Sequence, residues 1–259
     1  MGAIRTVKLR NVELGAGVPK IIVPIVAATT EGILDKAREI LDYTFDFVEW
    51  RVDFYEDLFD TSKVLSTLKA LRGVLGEKPI LVTARTKEEG GAQEIDLDTY
   101  TALNTAIAQS GDADIIDVQI FIGDEVVRKN IDAIHAAGCK VVGSYHSFDG
   151  TPDKDDLVSR MRKAQDMGAD IPKVAVMPKS TADVITLLDA TQEMRAKYAD
   201  RPAITMSMGS GVISRLGGEY FGSDATFGMI GQASAPGQIP TEQLSAVLSI
   251  LHQALSPQS

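Results

Sequence analysis

A lysine stands third in the run Ile171-Pro172-Lys173-Val174-Ala175-Val176-Met177-Pro178, whose other residues are those of a buried strand. An ammonium taken out of water is costly unless it is paired or gives up its proton, so a buried lysine tends toward the neutral, nucleophilic amine. Such an amine attacks a carbonyl carbon, and the Schiff base it forms acidifies the neighbouring C–H bonds. Two plainer readings compete with this chemistry. The lysine could be paired with a carboxylate, or its stem could cross the sheet edge to reach water.

The residues around it weigh on the choice. Side chains alternate across a strand, so polar residues two apart share a face. That spacing groups Glu49, Arg51 and Asp53, then Asp117 with Gln119, and Ser144 with His146. Arg85 ends another apolar run, Glu89 follows in the turn Glu88-Glu89-Gly90-Gly91, and Met206 and Met208 lie on a further strand with Arg215 beyond it. Each has a bland alternative. Glu49 and Arg51 could be a structural ion pair, and Glu89 a solvated turn residue. The two methionines could be packing. His146 could be a hydrogen-bonded core residue, although the other two histidines, His135 and His252, fall on helices and leave it the one strand-end imidazole. Weak signals that converge on one place carry more than any of them singly.

The elements that must bring them together are legible as a repeat. Strands are expected at 20–27, 45–53, 79–86, 115–121, 140–148, 171–178, 202–209 and 226–231. Each is followed by a helical stretch, at 31–43, 61–76, 97–110, 124–137, 153–167, 181–199, 212–221 and 241–255. Gly138 and Gly168 stand at helix ends, and Thr61-Ser62 and Ser180-Thr181 at helix starts. Eight βα units in 259 residues have the size and rhythm of a single (β/α)8 TIM barrel spanning 1–259, whose catalytic face is formed by the C-terminal ends of the strands. An open doubly wound sheet would often carry a glycine fingerprint after its first strand, where this chain has Ala28-Thr29-Thr30-Glu31. Residues 4–15 alternate Val7, Leu9 and Val12, Leu14, a hairpin expected to close one end of the barrel.

Bulk properties narrow the partners. A formal charge of −10 argues against nucleic-acid or anionic membrane surfaces, so an anionic substrate must be met by a few local arginines. No apolar run approaches a membrane span and the N-terminus lacks a signal pattern, which reads as a cytoplasmic protein. The single cysteine, Cys139, reads as a core residue. No CxxC pair, His-rich tract or HExxH pattern suggests a metal, and no cofactor is implied. Gly209-Ser210-Gly211 could offer backbone amides to an anion, and Ala233 through Gln238 could be a mobile cover contributing Ser234 and Gln238.

Taken in order, Glu49 through Asp53, Arg85 through Gly91, Ser144 through Phe148 with Thr151-Pro152, the Lys173 run, Met206-Ser207-Met208, Gly211 through Arg215 and Ala233 through Gln238 resemble the type I 3-dehydroquinate dehydratases over almost the whole chain. The resemblance implies a (β/α)8 barrel, commonly a homodimer, that dehydrates a small carboxylate substrate of the shikimate pathway. It implies Lys173 as the Schiff-base lysine, His146 as general acid/base and Glu89 as the group that orients it. Arg215 is implied as the carboxylate clamp, and Glu49, Arg51 and Arg85 as polar contacts. Ser234 and Gln238 fall in the family's covering loop, and Met206 and Met208 in its apolar wall. Two positions depart from the family pattern, Pro24 where some relatives have serine and Gln119 where an acid is expected, the latter removing a negative charge near the arginines. The alternatives are a Schiff-base aldolase acting on a phosphorylated sugar, which needs an anion site at Gly209–Gly211 or Gly231, and a non-catalytic metabolite-binding barrel.

Overall fold

The computed structural model describes residues 4–231 and 233–255. An antiparallel hairpin of β1 (Val7–Leu9) and β2 (Val12–Leu14) comes first. The repeat then runs β3 (Lys20–Ile25), α1 (Thr30–Ile40), β4 (Phe47–Arg51), α2 (Thr61–Leu75), β5 (Ile80–Thr83), α3 (Leu97–Gln109), β6 (Ile115–Gln119) and α4 (Asp124–Ala136). It continues with β7 (Lys140–Ser147), α5 (Lys154–Asp166), β8 (Ile171–Val176), α6 (Thr181–Lys197), β9 (Ile204–Ser207), α7 (Ile213–Leu216), α8 (Gly218–Phe221), β10 (Ala225–Met229), the short β11 (Ile239–Pro240) and α9 (Thr241–Leu255). The parallel ladder runs β10–β3–β4–β5–β6–β7–β8–β9, so the eight expected strands curl into a barrel in chain order with the last beside the first.

Local signals set the helix ends. Side-chain oxygens of Thr29, Asp60, Asp96 and Ser180 accept first-turn amides of α1, α2, α3 and α6, and Asp183 returns the bond to complete a capping box on Ser180. One expected helix is absent as such: 212–221 is two four-residue helices, α7 and α8, preceded by a 3-10 turn at Gly209–Gly211. The chain breaks at Gly217-Gly218, where a Cβ on Gly218 would stand 2.9 Å from the Ser223 carbonyl oxygen.

Strand parity sorts the core. Outward residues such as Val48, Trp50, Val82, Val118 and Val174 pack beneath the helices. The inward residues nearest the N-terminal ends, Ile22, Phe47, Leu81, Ile115, Val142, Ile171, Ile204 and Ala225, form one apolar cluster with Val7, Leu9, Val12 and Leu14 of the hairpin. The hairpin thus stoppers the end away from the site. Above this floor the inward positions of β4 to β8 turn polar.

Among the described residues, β9 and β10 are not joined by a strand ladder. The amides of β9 and of the residue before it that face this seam meet side chains instead: Ala203 N–H donates to Asp224 Oδ2 at 2.8 Å, Thr205 N–H to Ser223 Oγ at 2.9 Å and Ser207 N–H to Ser214 Oγ at 2.8 Å. Each donor is satisfied, as buried amides require.

Candidate active site

Counting up from the floor places the chemistry. Lys173 follows Ile171 on the inward face of β8, so its amine rises from mid-strand into a cavity of about 150 Å³ at the C-terminal end of the barrel. Lys173 is 3% exposed. Its Nζ lies 3.6 Å from Glu49 Oε1, 3.6 Å from Asp117 Oδ2 and 4.8 Å from the centre of the Phe227 ring. Both acids stand beyond hydrogen-bond reach, so the amine is attracted by two carboxylates and clamped by neither. Glu49 is held by the Thr83 hydroxyl at 2.9 Å, and the Glu49–Arg51 ion pair that spacing allowed does not form. Arg51 instead binds Asp53 through two bonds of 2.8 and 2.7 Å and lies over Phe54.

On β7, Ser144 is register partner of Lys173 and His146 of Ala175, which sets the imidazole one inward step higher on the neighbouring strand. His146 Nδ1 is 3.0 Å from Glu89 Oε2, and the same oxygen accepts the His146 backbone N–H at 3.1 Å. Glu89 is therefore not a solvated turn residue. Gly90 explains how the turn closes over it: its φ is +83°, and a Cβ there would overlap the Phe148 ring at 2.4 Å, so the ring lies directly on the backbone of the turn. Burial pushes the Glu89 carboxyl up to about 7 against the pull of Arg85. Burial, then the cations Arg85, Lys173 and Arg51, hold His146 well below an ordinary imidazole. An ionised Glu89 can only accept, so the Nδ1 position carries the ring proton and Nε2 is left basic.

Arg85 ties these pieces together. Its Nη1 donates to Ser144 Oγ at 2.9 Å and to Glu89 Oε2 at 3.4 Å, while Nη2 donates to Asp117 Oδ2 at 2.8 Å. Asp117 also accepts the Ser144 hydroxyl at 2.6 Å. Burial opposes the Asp117 charge, yet Arg85, Lys173 and the Ser144 bond outweigh it and keep the carboxyl below its usual range. Gln119 does not bear on this balance. Its amide receives the Thr86 N–H and donates to the Thr86 hydroxyl, fixing the turn after β5.

Arg215 is the outlier. It is 1% exposed, its Nη1 meets only the Met206 sulfur at 3.7 Å, its Nη2 the Pro236 carbonyl at 3.2 Å, and its Nε has no partner. Burial alone lowers it to about 10. A buried guanidinium that lines a cavity and has no carboxylate partner of its own is a site for an anion that arrives from solution. Met206, Met208 and Phe227 supply the apolar wall. Ser234 and Gln238 bond each other, Ser234 N–H to Gln238 Oε1 at 2.9 Å and Gln238 Nε2 to Ser234 Oγ at 3.0 Å, and Pro236 O accepts the Gly209 N–H at 3.1 Å. The cover is pinned at its middle.

The cavity lining thus includes Lys173, His146, Glu89, Glu49, Arg51, Arg85, Met206, Met208, Arg215, Ser234 and Gln238 together. It also includes Thr83, Phe148 and Phe227, which sequence reasoning did not single out for the site. Thr83 and Phe227 sit on the inward parity of their strands, and that signal could have found them. Asp117 and Ser144 showed the parity but no role. The Gly209 and Gly211 amides are spent on Pro236 O and Met208 O.

A family model for type I 3-dehydroquinase matches residues 21–255. A 3-dehydroquinate dehydratase of Clostridium botulinum is 48% identical over 96% of this chain and 98% of its own length, and one from Escherichia coli is 49% identical over 97% and 100%. A solved type I 3-dehydroquinate dehydratase of Clostridium difficile, crystallised with covalently modified comenic acid, superposes with a TM-score of 0.95 at 45% identity, covering 97% of this chain and 100% of that one.

Proposed function

This chain belongs to the type I 3-dehydroquinase family, and on that premise we propose that it dehydrates 3-dehydroquinate to 3-dehydroshikimate, a step of the shikimate pathway, at the Lys173 cavity. The observation that carries the assignment is the uncompensated Arg215, which asks for a carboxylate, in one cavity with an amine and a base. The substrate carboxylate takes the Arg215 fork, which sets the ketone beside Nζ. The Lys173 nitrogen bonds to the ketone carbon and water leaves, giving a protonated imine. Nε2 of His146 then takes the α-proton, and the C–H electron pair forms the enamine double bond while the nitrogen becomes neutral. The enamine pushes out the β-hydroxyl, which departs as water with the proton from His146. Water adds to the conjugated iminium and frees the product and the amine. Glu89 keeps the ring in its working tautomer throughout.

The decisive experiment follows the ultraviolet absorbance of the conjugated product and, with borohydride, the mass of the protein. Turnover of 3-dehydroquinate and a reduced adduct on Lys173 are expected, and Lys173→Met should lose both. An adduct on Lys179, or no product, defeats the reading. The phosphosugar aldolase loses one of its two candidate anion sites, because the Gly209 and Gly211 amides are already bonded. Among the described residues no helix is long and apolar enough to cross a membrane. We also propose a cytoplasmic homodimer, as is common in the family; cell fractionation with analytical sedimentation tests it, and a monomer at micromolar concentration refutes the dimer.

A further inference from the structure

Asp117 stands between the two halves of the site. A carboxylate buried only to neutralise an arginine would ordinarily take both arms of the guanidinium fork. Here the fork is divided: Nη2 of Arg85 goes to Asp117 Oδ2 at 2.8 Å, and Nη1 goes to Ser144 Oγ at 2.9 Å and onward to Glu89 Oε2 at 3.4 Å. The Ser144 hydroxyl caps Asp117 Oδ1 at 2.6 Å, which leaves Oδ2 shared between Arg85 and the Lys173 nitrogen 3.6 Å away. At the other end Glu89 holds His146 Nδ1 at 3.0 Å. Removing the α-proton moves one positive charge, from the iminium nitrogen to the imidazole, and leaves a neutral enamine. Both places where that charge rests therefore face an acid, and one guanidinium holds both acids. In a dry site, fixed charges aimed at a moving one act strongly and need no reorganisation.

We propose that Asp117 is the counter-ion of the Schiff-base nitrogen, and that Arg85 and Ser144 position it and couple it to Glu89. The inference rests on the reading of Lys173 as the imine-forming residue. Glu49 is equally near the nitrogen, but it accepts the Thr83 hydroxyl and stands outside the Arg85 fork. Asp117 is thus a positioning residue that acts on charge at nitrogen. It transfers no proton and forms no bond.

The test compares wild type, Asp117→Asn and Ser144→Ala in steady-state turnover of 3-dehydroquinate and in borohydride trapping. Asp117→Asn keeps the shape and an acceptor for Ser144 while removing the charge. It should lower kcat about 100-fold, with KM within about threefold of wild type and a smaller fraction of chains trapped at saturating substrate. Ser144→Ala keeps the charge but frees the carboxylate, and should cost about tenfold in kcat. Wild-type kcat and trapping in Asp117→Asn would overturn the proposal, as would a loss confined to KM or to the melting temperature. If Asp117→Asn does not fold, Ser144→Ala decides, and unchanged kcat and trapping there overturn it. Wild type that traps while Asp117→Asn behaves normally defeats this inference alone, whereas wild type that fails to trap on Lys173 defeats the assigned function with it.

Discussion

Glu89 and His146 show how burial divides two titratable groups between two jobs. Glu89 rises to about 7 from an ordinary 4.5 because it is buried, and His146 falls below 6.5 for the same reason. The folded state holds the Glu89 proton more tightly than the unfolded chain does. The stability linked to it is thus fully present below pH 4.5 and is lost as pH rises through about 7. Glu89→Gln removes that loss. The stability of the variant relative to wild type should grow by about 3 kcal/mol between pH 4.5 and 8, read from urea unfolding at both pH values. A gap that stays constant or shrinks contradicts the buried-acid account. The acidic limb that Glu89 ionisation imposes on kcat/KM near pH 7 should vanish in the same variant. At this scale much was legible: alternation alone put Lys173, His146, Glu49 and Arg51 on inward positions. Side-chain pairing was not, since nothing in the spacing tells that Arg51 turns to Asp53 or that Gln119 turns to Thr86.

The elements were legible wherever hydrophobic period and caps agreed, and they failed where the chain does something other than βα repetition. The stretch 212–221 has the composition of a helix, but Ser214 is drawn to the Ser207 amide and the chain breaks at Gly217-Gly218. The reason lies in the seam. Where β9 and β10 lack a ladder, the connection between them supplies Ser214, Ser223 and Asp224 to the three open amides, and no local pattern announces that duty. Ser223→Ala strips Thr205 N–H of its partner while leaving the apolar core intact. It should destabilise the protein by about 1–3 kcal/mol and speed hydrogen exchange at Thr205 above that at neighbouring β8 amides. Equal exchange at both strands would show that the seam is held by packing and not by these hydroxyls. Because Met206 shares β9 with Thr205 and Met208 follows the strand directly, the seam also fixes one wall of the cavity.

At the scale of the whole molecule, stability and chemistry sit at opposite ends of one barrel. The floor layer and the hairpin form a single apolar cluster, and the hairpin is latched below by Arg10 Nε on Asp114 Oδ1 at 2.6 Å and by Arg5 N–H on the Asp200 carbonyl at 2.9 Å. The reactive groups begin one inward step above that floor, so Ile171 and its neighbours separate the hairpin from Lys173. Polar groups that oppose folding, such as the unpaired Arg215 and the raised Glu89, are thereby supported by a core that takes no part in catalysis. Leu14 is fully buried in the hairpin and touches none of the cavity. Leu14→Ala should cost about 2–4 kcal/mol through lost burial and the void left behind, visible as a lower denaturation midpoint. Its kcat and KM, measured well below the melting temperature, should stay within about twofold of wild type, because the additive behaviour of distant sites leaves the strand tops unmoved. A fall in kcat that tracks the fall in stability would mean that the hairpin sets the height of Lys173 through the floor, and that the two ends of the barrel are mechanically one.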